Sequence, residues 1–189
     1  MAYATFSNVI GFDDYPFRRT DRGDVRVVGA VFSGTRLDGI VSGLVRRDGA
    51  NATRRLAELV LGSKFAPQVQ LVMLQGISLA GFNVVDIHEM HQLLNIPVLV
   101  VARREPRMES IREALLTRVR GGSRKWALIQ KAGAMEPVEG VFVQRAGLSL
   151  DKTSEVIRRF AVCGRIPEPL RVAHLIAGGV ATGESKGRT

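Results

Sequence analysis

The chain has 189 residues, of which 46% are hydrophobic, and this predicts one sizeable core and a single domain over residues 1–189. No apolar run reaches the roughly 18 residues that cross a membrane, and the first residues lack a secretory signal pattern, so we expect neither a membrane span nor secretion. The net charge of +9 suits a polyanionic partner such as nucleic acid, although a solvated basic surface accounts for it equally well.

The first third of the chain predicts three strands in an antiparallel meander. Apolar stretches mark these strands over residues 7–14, 25–34 and 37–47, and polar turn residues separate them. A helix follows, with Asn51 as its N-cap and Gly62 at its end.

Helices and buried strands then alternate. Residues 68–76 and 96–102 are continuously apolar, as expected of central strands that are covered on both faces. A helix is predicted between them over residues 84–94, and Pro106 opens another helix near residues 107–118.

The last third is less regular. Residues 118–133 contain a Gly-Gly break and a basic stretch, and residues 139–147 are typical of a strand. Two helices are predicted over residues 149–162, with Ser149 or Asp151 as the cap, and 167–182, and residues 183–189 are predicted to be a disordered tail.

This order of elements predicts an α/β fold of the ribonuclease-H-like class. Three meandering strands precede the alternation of helix and strand, so the sheet should be mixed and flanked by helices. A doubly wound nucleotide-binding fold would alternate from its start and carry a glycine fingerprint after strand one, where this chain has GFDDYPF.

Polar residues follow the first, third and fourth predicted strands, whose carboxyl ends should share one edge of the sheet. Asp13 and Asp14 end the first strand, Asp48 follows the third, and Gln75 closes the fourth. Because neighbouring carboxylates repel one another, a divalent cation would stabilise them, and Mg²⁺ or Mn²⁺ prefers such oxygen ligands. We predict Asp13 and Asp48 as metal ligands, while Asp48 serves equally well as a turn or helix-capping residue. Asp13 and Asp14 should not reach one ion together, since successive strand side chains point to opposite faces.

Gln75 is the unusual member of this predicted catalytic set of Asp13, Asp48 and Gln75. Its carbonyl oxygen can coordinate a hard cation, and its amide nitrogen can donate to a phosphate or a water. It carries no negative charge, so the site would hold metal weakly or rely on a substrate phosphate. The alternative is that Gln75 only satisfies backbone groups in the turn.

Five further residues are predicted to contact nucleic acid, from loops on the same edge. They are Asn83, Arg103, Arg104, Arg124 and Lys125. Asn83 is equally consistent with turn chemistry. Tyr15 and Trp126 are candidates for stacking on a base, with Trp126 better explained as a core residue.

Several other polar residues have two interpretations each. Asp86 either replaces the missing carboxylate or caps the following helix, and His88 and His91 share one face of that helix without completing a zinc site. His174 either approaches the site as a proton donor or phosphate ligand, or packs within the last helix. Cys163 is the only cysteine, which excludes an internal disulfide and predicts a reducing, cytoplasmic location.

The chain resembles an archaeal family related to endonuclease V, whose members have been called endonuclease dU. The resemblance lies in VIGFDDYPF, LDGIVSGLVRRDG, VMLQGISLAGFNVVDI and IPVLVVARREP. It implies a ribonuclease-H-like fold and metal-dependent cleavage of DNA at deaminated bases, with deoxyuridine as the lesion. Asp13 and, approximately, Asp48 match acidic residues of endonuclease V, whereas Gln75 stands in place of an aspartate. No PYIP-type wedge is present.

The resulting hypothesis is a Mg²⁺- or Mn²⁺-dependent endonuclease in DNA repair, acting on single-stranded or lesion-containing DNA. The alternative is a catalytically weakened nucleic-acid-binding protein on the same fold, its metal site degraded at Gln75. A module that binds only proteins is a third class, and it would show no affinity for DNA.

Overall fold

The structure is a computed structural model that describes residues 6–18 and 20–185. Within these residues the strands are β1 (Asn8–Asp14), β2 (Asp24–Ser33), β3 (Arg36–Arg46), β4 (Leu71–Gln75), β5 (Ser78–Leu79), β6 (Asn83–Val84), β7 (Val98–Ala102), β8 (Glu136–Val138) and β9 (Val141–Ala146). The helices are α1 (Ala52–Leu61), α2 (Ile87–Leu94), α3 (Met108–Arg118), α4 (Gly122–Ala132), α5 (Leu150–Phe160) and α6 (Glu168–Thr182). Within the described ranges no helix combines the length and apolar character of a membrane span.

Seven of the described strands form one mixed sheet, in the order β3-β2-β1-β4-β7-β9-β8. The pairs β1–β2 and β2–β3 are antiparallel, which confirms the predicted meander. The strands β1, β4 and β7 run parallel to one another, so their carboxyl ends share one edge of the sheet. The short strands β5 and β6 form a separate ribbon beyond the end of β4. The predicted mixed sheet flanked by helices is therefore confirmed.

Each face of the sheet is covered by its own pair of helices. The helices α1 and α2 pack on one face and α5 and α6 on the other, and each layer has its own cluster of buried apolar residues. Alternate residues of β4 enter opposite clusters, with Val72 and Leu74 in the first and Leu71 and Met73 in the second. This double burial explains why the β4 sequence is continuously apolar.

Helix capping follows the sequence at some ends and departs from it at others. The Ser149 hydroxyl accepts from the Lys152 N–H and caps α5, as predicted. Asn51 occupies the N-cap position of α1, yet its side chain makes no capping bond and accepts from the Arg46 N–H instead. Asn51 thus holds the end of β3 against the start of α1.

One predicted helix start is wrong, and one helix is not predicted by the sequence. The helix predicted over 84–94 begins only at Ile87, because the preceding residues form the β5–β6 ribbon. The basic stretch 118–133 contains α4. Its apolar residues pack against α3, and this tertiary packing stabilises a helix whose sequence has no strong helical period of apolar residues. Of the predicted tail 183–189, Gly183 ends α6, and residues 186–189 lie outside the described residues.

The close approach of α6 to β1 positions the candidate site. A Cβ atom added at Gly11 would lie 2.5 Å from the Pro169 carbonyl carbon and 2.8 Å from the Leu170 nitrogen. Only glycine leaves room for the α6 backbone at this point of the sheet. The helix therefore runs over β1 and brings its second turn to the carboxyl end of that strand.

Candidate active site

A cavity of about 550 Å³ opens where β1 and β4 end beneath α6. Its lining comes from the end of β1 and the loop after it, the last residue of β4, and one face of α6. The residues are Asp13, Asp14, Tyr15, Pro16, Phe17, Gln75, His174, Gly178 and Thr182. The structure thus brings two of the three predicted catalytic residues, Asp13 and Gln75, into one cavity.

Asp13 is buried and forms a hydrogen-bonded pair with the half-buried His174. The Asp13 side chain is 9% exposed, and its Oδ2 lies 2.7 Å from Nδ1 of His174. The hydrogen bond with Asp13 raises the pKa of His174, against the opposing effect of burial. The protonated imidazole therefore persists to higher pH than in a histidine without such a partner. Of the two interpretations of His174, the structure supports the one at the site.

Asp14 differs from its neighbour in both partner and ionisation. Its Oδ2 accepts from the backbone N–H of Ala80. Burial raises the pKa of Asp14 from 3.8 to about 6, and the negative charge of Asp13 adds to this effect. Asp14 therefore ties the end of β1 to the turn after β5, while Asp13 faces α6.

Gln75 carries an unsatisfied oxygen. Its Oε1 is buried and accepts no hydrogen bond from any described residue. Such atoms are rare because an unpaired buried acceptor costs about 1–3 kcal/mol. A bound cation or a donor on a substrate would remove that cost.

The donor set of the cavity fits a magnesium-type ion that retains other ligands. Mg²⁺ is commonly bound by one or two carboxylates together with waters and substrate phosphates. Asp13 and the Gln75 Oε1 supply hard oxygens of this kind. Across the described ranges no three or more Asp, Glu, His or Cys side chains group together as a metal site. An ion bound here would therefore depend on Gln75 and on oxygen atoms of waters or of a substrate phosphate, in addition to Asp13.

Asp48 does not line this cavity. It lies beside a neighbouring hollow formed with the β1–β2 loop, and its backbone is left-handed, with φ of 48°. Its Oδ1 accepts from the Phe82 N–H at 2.8 Å, and its own N–H donates to the Ala80 oxygen at 2.9 Å. Asp48 does not cap α1 either. The structure places it as an anchor for the turn over residues 80–82.

Two aspartates therefore hold one turn. Asp14, from β1, bonds the Ala80 N–H, and Asp48, after β3, bonds the Phe82 N–H. Ala80 and Gly81 both have positive φ, at 48° and 84°. Ala80 has a Cβ atom and such residues rarely adopt a positive φ, so this backbone conformation needs stabilising contacts. The hydrogen bonds to the two carboxylates provide them.

The turn helps to shape a second, more enclosed cavity of about 210 Å³. It begins at Gly76, next to Gln75, and lies between the ends of β4 and β7 and the helices α3 and α4. Its lining is mostly apolar and consists of Gly76, Ile77, Ser78, Phe82, Val100, Ala102, Pro106, Met108, Ile111, Ile129, Met135 and Gln144. Sequence reasoning missed this cavity because its lining comes from several segments, none of which carries a motif.

The predicted nucleic-acid contacts divide into buried and exposed residues. Asn83 is fully buried in β6, where its Oδ1 accepts from the Ala52 N–H and its Nδ2 donates to the Arg46 and Asn51 oxygens, so it ties β6 to the connection between β3 and α1. Lys125 is 5% exposed and donates to the Asp48 oxygen, and burial lowers its pKa. Neither side chain is presented to a ligand in this structure.

The three predicted arginines, by contrast, lie on the surface. Arg103, Arg104 and Arg124 are exposed, and the first two line a common cleft. Trp126 packs against the α3–α4 cluster, as its core interpretation required, whereas Tyr15 lines the larger cavity.

The remaining polar candidates have structural roles. Asp86 caps α2 by accepting from the His88 and Glu89 N–H groups, and it pairs with Lys131 at 2.6 Å. His91 places Nδ1 2.8 Å from the Ile96 oxygen. Asp86 therefore does not replace the carboxylate that is missing at Gln75.

Comparison with known proteins links this architecture to one family. The family model described as "Endonuclease dU" matches residues 5–181. A protein of the UPF0215 group from Deinococcus radiodurans is 58% identical over 99% of this chain and 95% of its own. A UPF0215 protein from Methanothermobacter thermautotrophicus is 43% identical over 95% of this chain and 90% of its own.

Solved structures show the same fold. A protein of unknown function from Archaeoglobus fulgidus has a TM-score of 0.86 and 32% identity, covering 93% of this chain and 99% of that chain. The catalytic domain of human endonuclease V has a TM-score of 0.59 and 15% identity, covering 92% of this chain and 82% of that chain. The predicted ribonuclease-H-like fold is confirmed by these similarities.

Proposed function

The chain belongs to the endonuclease dU family, and on that premise we propose that it is a metal-dependent endonuclease that cuts DNA at deaminated bases, with deoxyuridine as the lesion. The observation that carries the proposal is the cavity in which the Asp13–His174 pair lies with the unsatisfied Gln75 Oε1. A site of this composition suits a phosphate ester, a cation and a proton donor together.

Asp13 and Gln75 are the proposed protein ligands of Mg²⁺ or Mn²⁺. Such an ion, when bound, neutralises phosphate charge and lowers the pKa of a coordinated water. The amide contributes no charge, so a phosphate oxygen of the substrate would complete the ligand set. Asp48, also predicted as a ligand, contributes in this proposal through the turn that it anchors.

His174 is the proposed proton donor or phosphate ligand. Asp13 orients its ring through Nδ1 and raises its pKa, so the protonated form persists to higher pH than in a histidine without such a partner. A positioned imidazolium can protonate a leaving oxygen or bind a phosphate, and proton transfer of this kind contributes about 10²–10⁴-fold to a rate.

The 210 Å³ cavity beside Gly76 is the proposed site for the damaged base. Enzymes that act at a base inside a duplex must extrude it or use a single strand, and they hold it in a largely apolar pocket. This cavity is enclosed and mostly apolar, and it begins one residue from Gln75. A base bound there would place its backbone close to Asp13.

The test is an oligonucleotide cleavage assay. Single- and double-stranded oligonucleotides containing uracil or hypoxanthine are incubated with the protein in Mg²⁺, Mn²⁺ or EDTA. We expect uracil-containing strands to be nicked only with metal, and Asp13→Asn to reduce the rate by at least about 100-fold. Asp151→Asn, at an exposed position in the first turn of α5, is the matched control and should cut normally.

Two outcomes separate this proposal from its alternative. In the first outcome, the folded protein leaves every strand intact in both metals, and neither metal nor Asp13→Asn changes its affinity for oligonucleotides. That outcome would identify a nucleic-acid-binding protein without nuclease activity. Gln75→Asp tests the amide directly, because an added carboxylate at a true metal site should tighten metal binding or accelerate cleavage.

A further inference from the structure

A strongly basic cleft of about 510 Å³ lies between the segment after β7 and the start of α6. We call it the arginine cleft. Its lining is Arg103, Arg104, Cys163, Gly164, Arg165, Ile166 and Arg171. Four guanidinium groups from two separate parts of the chain thus face one hollow, and Arg103, Arg104 and Arg165 are exposed.

The positive charge of the cleft is only partly neutralised. Arg171 forms a two-pronged ion pair with Glu168, with N–O distances of 2.8 and 2.7 Å. No ion pair joins Arg104 or Arg165 to another described residue. Grouping like charges without such pairing raises the local positive potential, which favours the binding of an anion between them. A guanidinium fork matches the oxygens of a phosphate group.

The arginine cleft adjoins the candidate active site along two elements. Arg171 and His174 are three residues apart on α6, so they share a helix face and are about 4.5 Å apart along its axis. Arg103 follows β7, whose Val101 pairs with Gln75 at the end of β4. The arginines and the catalytic cavity therefore lie on one edge of the sheet.

We propose that the arginine cleft binds a phosphate of the nucleic-acid backbone that flanks the phosphate being cut. This inference rests on the proposed function. It makes Arg104 and Arg165 strand-positioning residues, which hold the substrate in register without touching the reacting atoms. It also predicts that the bound strand runs along α6 from Arg171 towards His174.

Cys163 makes the proposal directly testable, because the chain has one cysteine and that cysteine is exposed in the cleft. The rate at which iodoacetamide alkylates Cys163 is measured in EDTA, with and without a saturating single-stranded oligonucleotide. We expect the bound strand to slow alkylation severalfold. A control protein carries Cys163→Ser and Leu61→Cys, which moves the thiol to an exposed site on the opposite face of the sheet.

A second measurement removes the arginines themselves. In EDTA, Arg104→Ala combined with Arg165→Ala should weaken oligonucleotide binding and reduce the salt slope of the affinity by about 0.7 for each phosphate that the variant no longer binds. Arg54→Ala, an exposed arginine of α1, is the control and should leave the slope nearly unchanged.

The outcomes distinguish this inference from the proposed function. If the oligonucleotide binds but Cys163 alkylates at its free rate, or if the double variant behaves like Arg54→Ala, the arginine cleft is not the phosphate site. Both measurements are made without metal. A protein that binds DNA in them but cleaves none in Mg²⁺ or Mn²⁺ would contradict the proposed nuclease function and would still support this inference. Absence of any binding at low salt in EDTA would overturn this inference, whereas the proposed nuclease is judged by cleavage in Mg²⁺ or Mn²⁺.

Discussion

At the scale of single residues, two adjacent aspartates do different work because strand side chains alternate. Asp13 turns towards α6 and meets His174, while Asp14 meets the Ala80 N–H. The two side chains are chemically identical, but they belong to successive strand residues, so their Cβ atoms point to opposite faces of the sheet. The pair thus supplies one carboxylate to the cavity chemistry and one to the turn that shapes its surroundings.

Asp14 should make the stability of the metal-free protein depend on pH. Its pKa in the folded state is raised to about 6, so the folded protein holds this proton more tightly than the unfolded chain. The free energy of unfolding should therefore fall as pH rises from about 4 to above 6. Asp14→Asn stays neutral and can still accept from Ala80, so it should be more stable than the parent at pH 7, by up to about 3 kcal/mol.

The measurement is urea unfolding in EDTA across this pH range. The stability difference between Asp14→Asn and the parent should vanish near pH 4 and grow with pH, whereas Asp151→Asn should show no such trend. A difference that stays constant with pH would contradict the assignment of the raised pKa to Asp14.

At the scale of elements, the contact between β1 and α6 decides whether the candidate site exists. The helix contributes His174, Gly178 and Thr182 to the cavity, and its distance from the sheet is set where its first turn crosses Gly11. A change at that crossing should therefore affect a histidine more than one turn away.

Gly11→Ala tests this coupling. The new Cβ would meet backbone atoms of Pro169 and Leu170, which cannot rotate away, so overpacking should destabilise the protein by about 1–3 kcal/mol. A shifted α6 would also weaken the Asp13–His174 hydrogen bond and lower the pKa of His174. Urea unfolding measures the first effect, and NMR titration of the imidazole measures the second.

Gly179→Ala is the matched control, since it lies in the same helix with nothing closer than 3.7 Å to its added Cβ. It should stabilise α6 by up to about 1 kcal/mol through helix propensity and leave the His174 pKa unchanged. A folded Gly11→Ala protein with an unaltered His174 pKa would show that α6 is not positioned by this crossing.

At the scale of the whole molecule, the charge is unevenly used. The net charge is +9, yet the larger cavity is lined by two aspartates, and exposed arginines gather in the neighbouring cleft. This arrangement suits a substrate that is held by its flanking phosphates and cut where oxygen ligands collect.

Oligonucleotide binding should therefore weaken steeply with salt. The logarithm of the affinity should fall linearly with the logarithm of KCl concentration, by about 0.7 for each phosphate contacted on a single strand. Fluorescence anisotropy in EDTA measures the slope without cleavage. An affinity that does not change with salt would contradict this prediction, and a solvated basic surface would then explain the positive charge.

The sequence by itself determined the elements whose signals are local. The apolar runs of β4 and β7, the meander, the Ser149 cap and the ribonuclease-H-like order of strands and helices all follow from neighbours along the chain. It also placed Asp13 and Gln75 at the ends of strands that would meet, because parallel strands share their carboxyl edge.

Only the tertiary structure decided what each polar side chain meets. Asp48 and Asn83 are residue types that often occur in active sites. Their hydrogen-bond partners, Phe82 and Ala52, lie more than thirty residues away along the chain. His174 joins Asp13 across 161 residues because glycine at position 11 admits a helix. Such pairings depend on burial and on distances across the fold, and no periodicity or spacing in a single sequence encodes either.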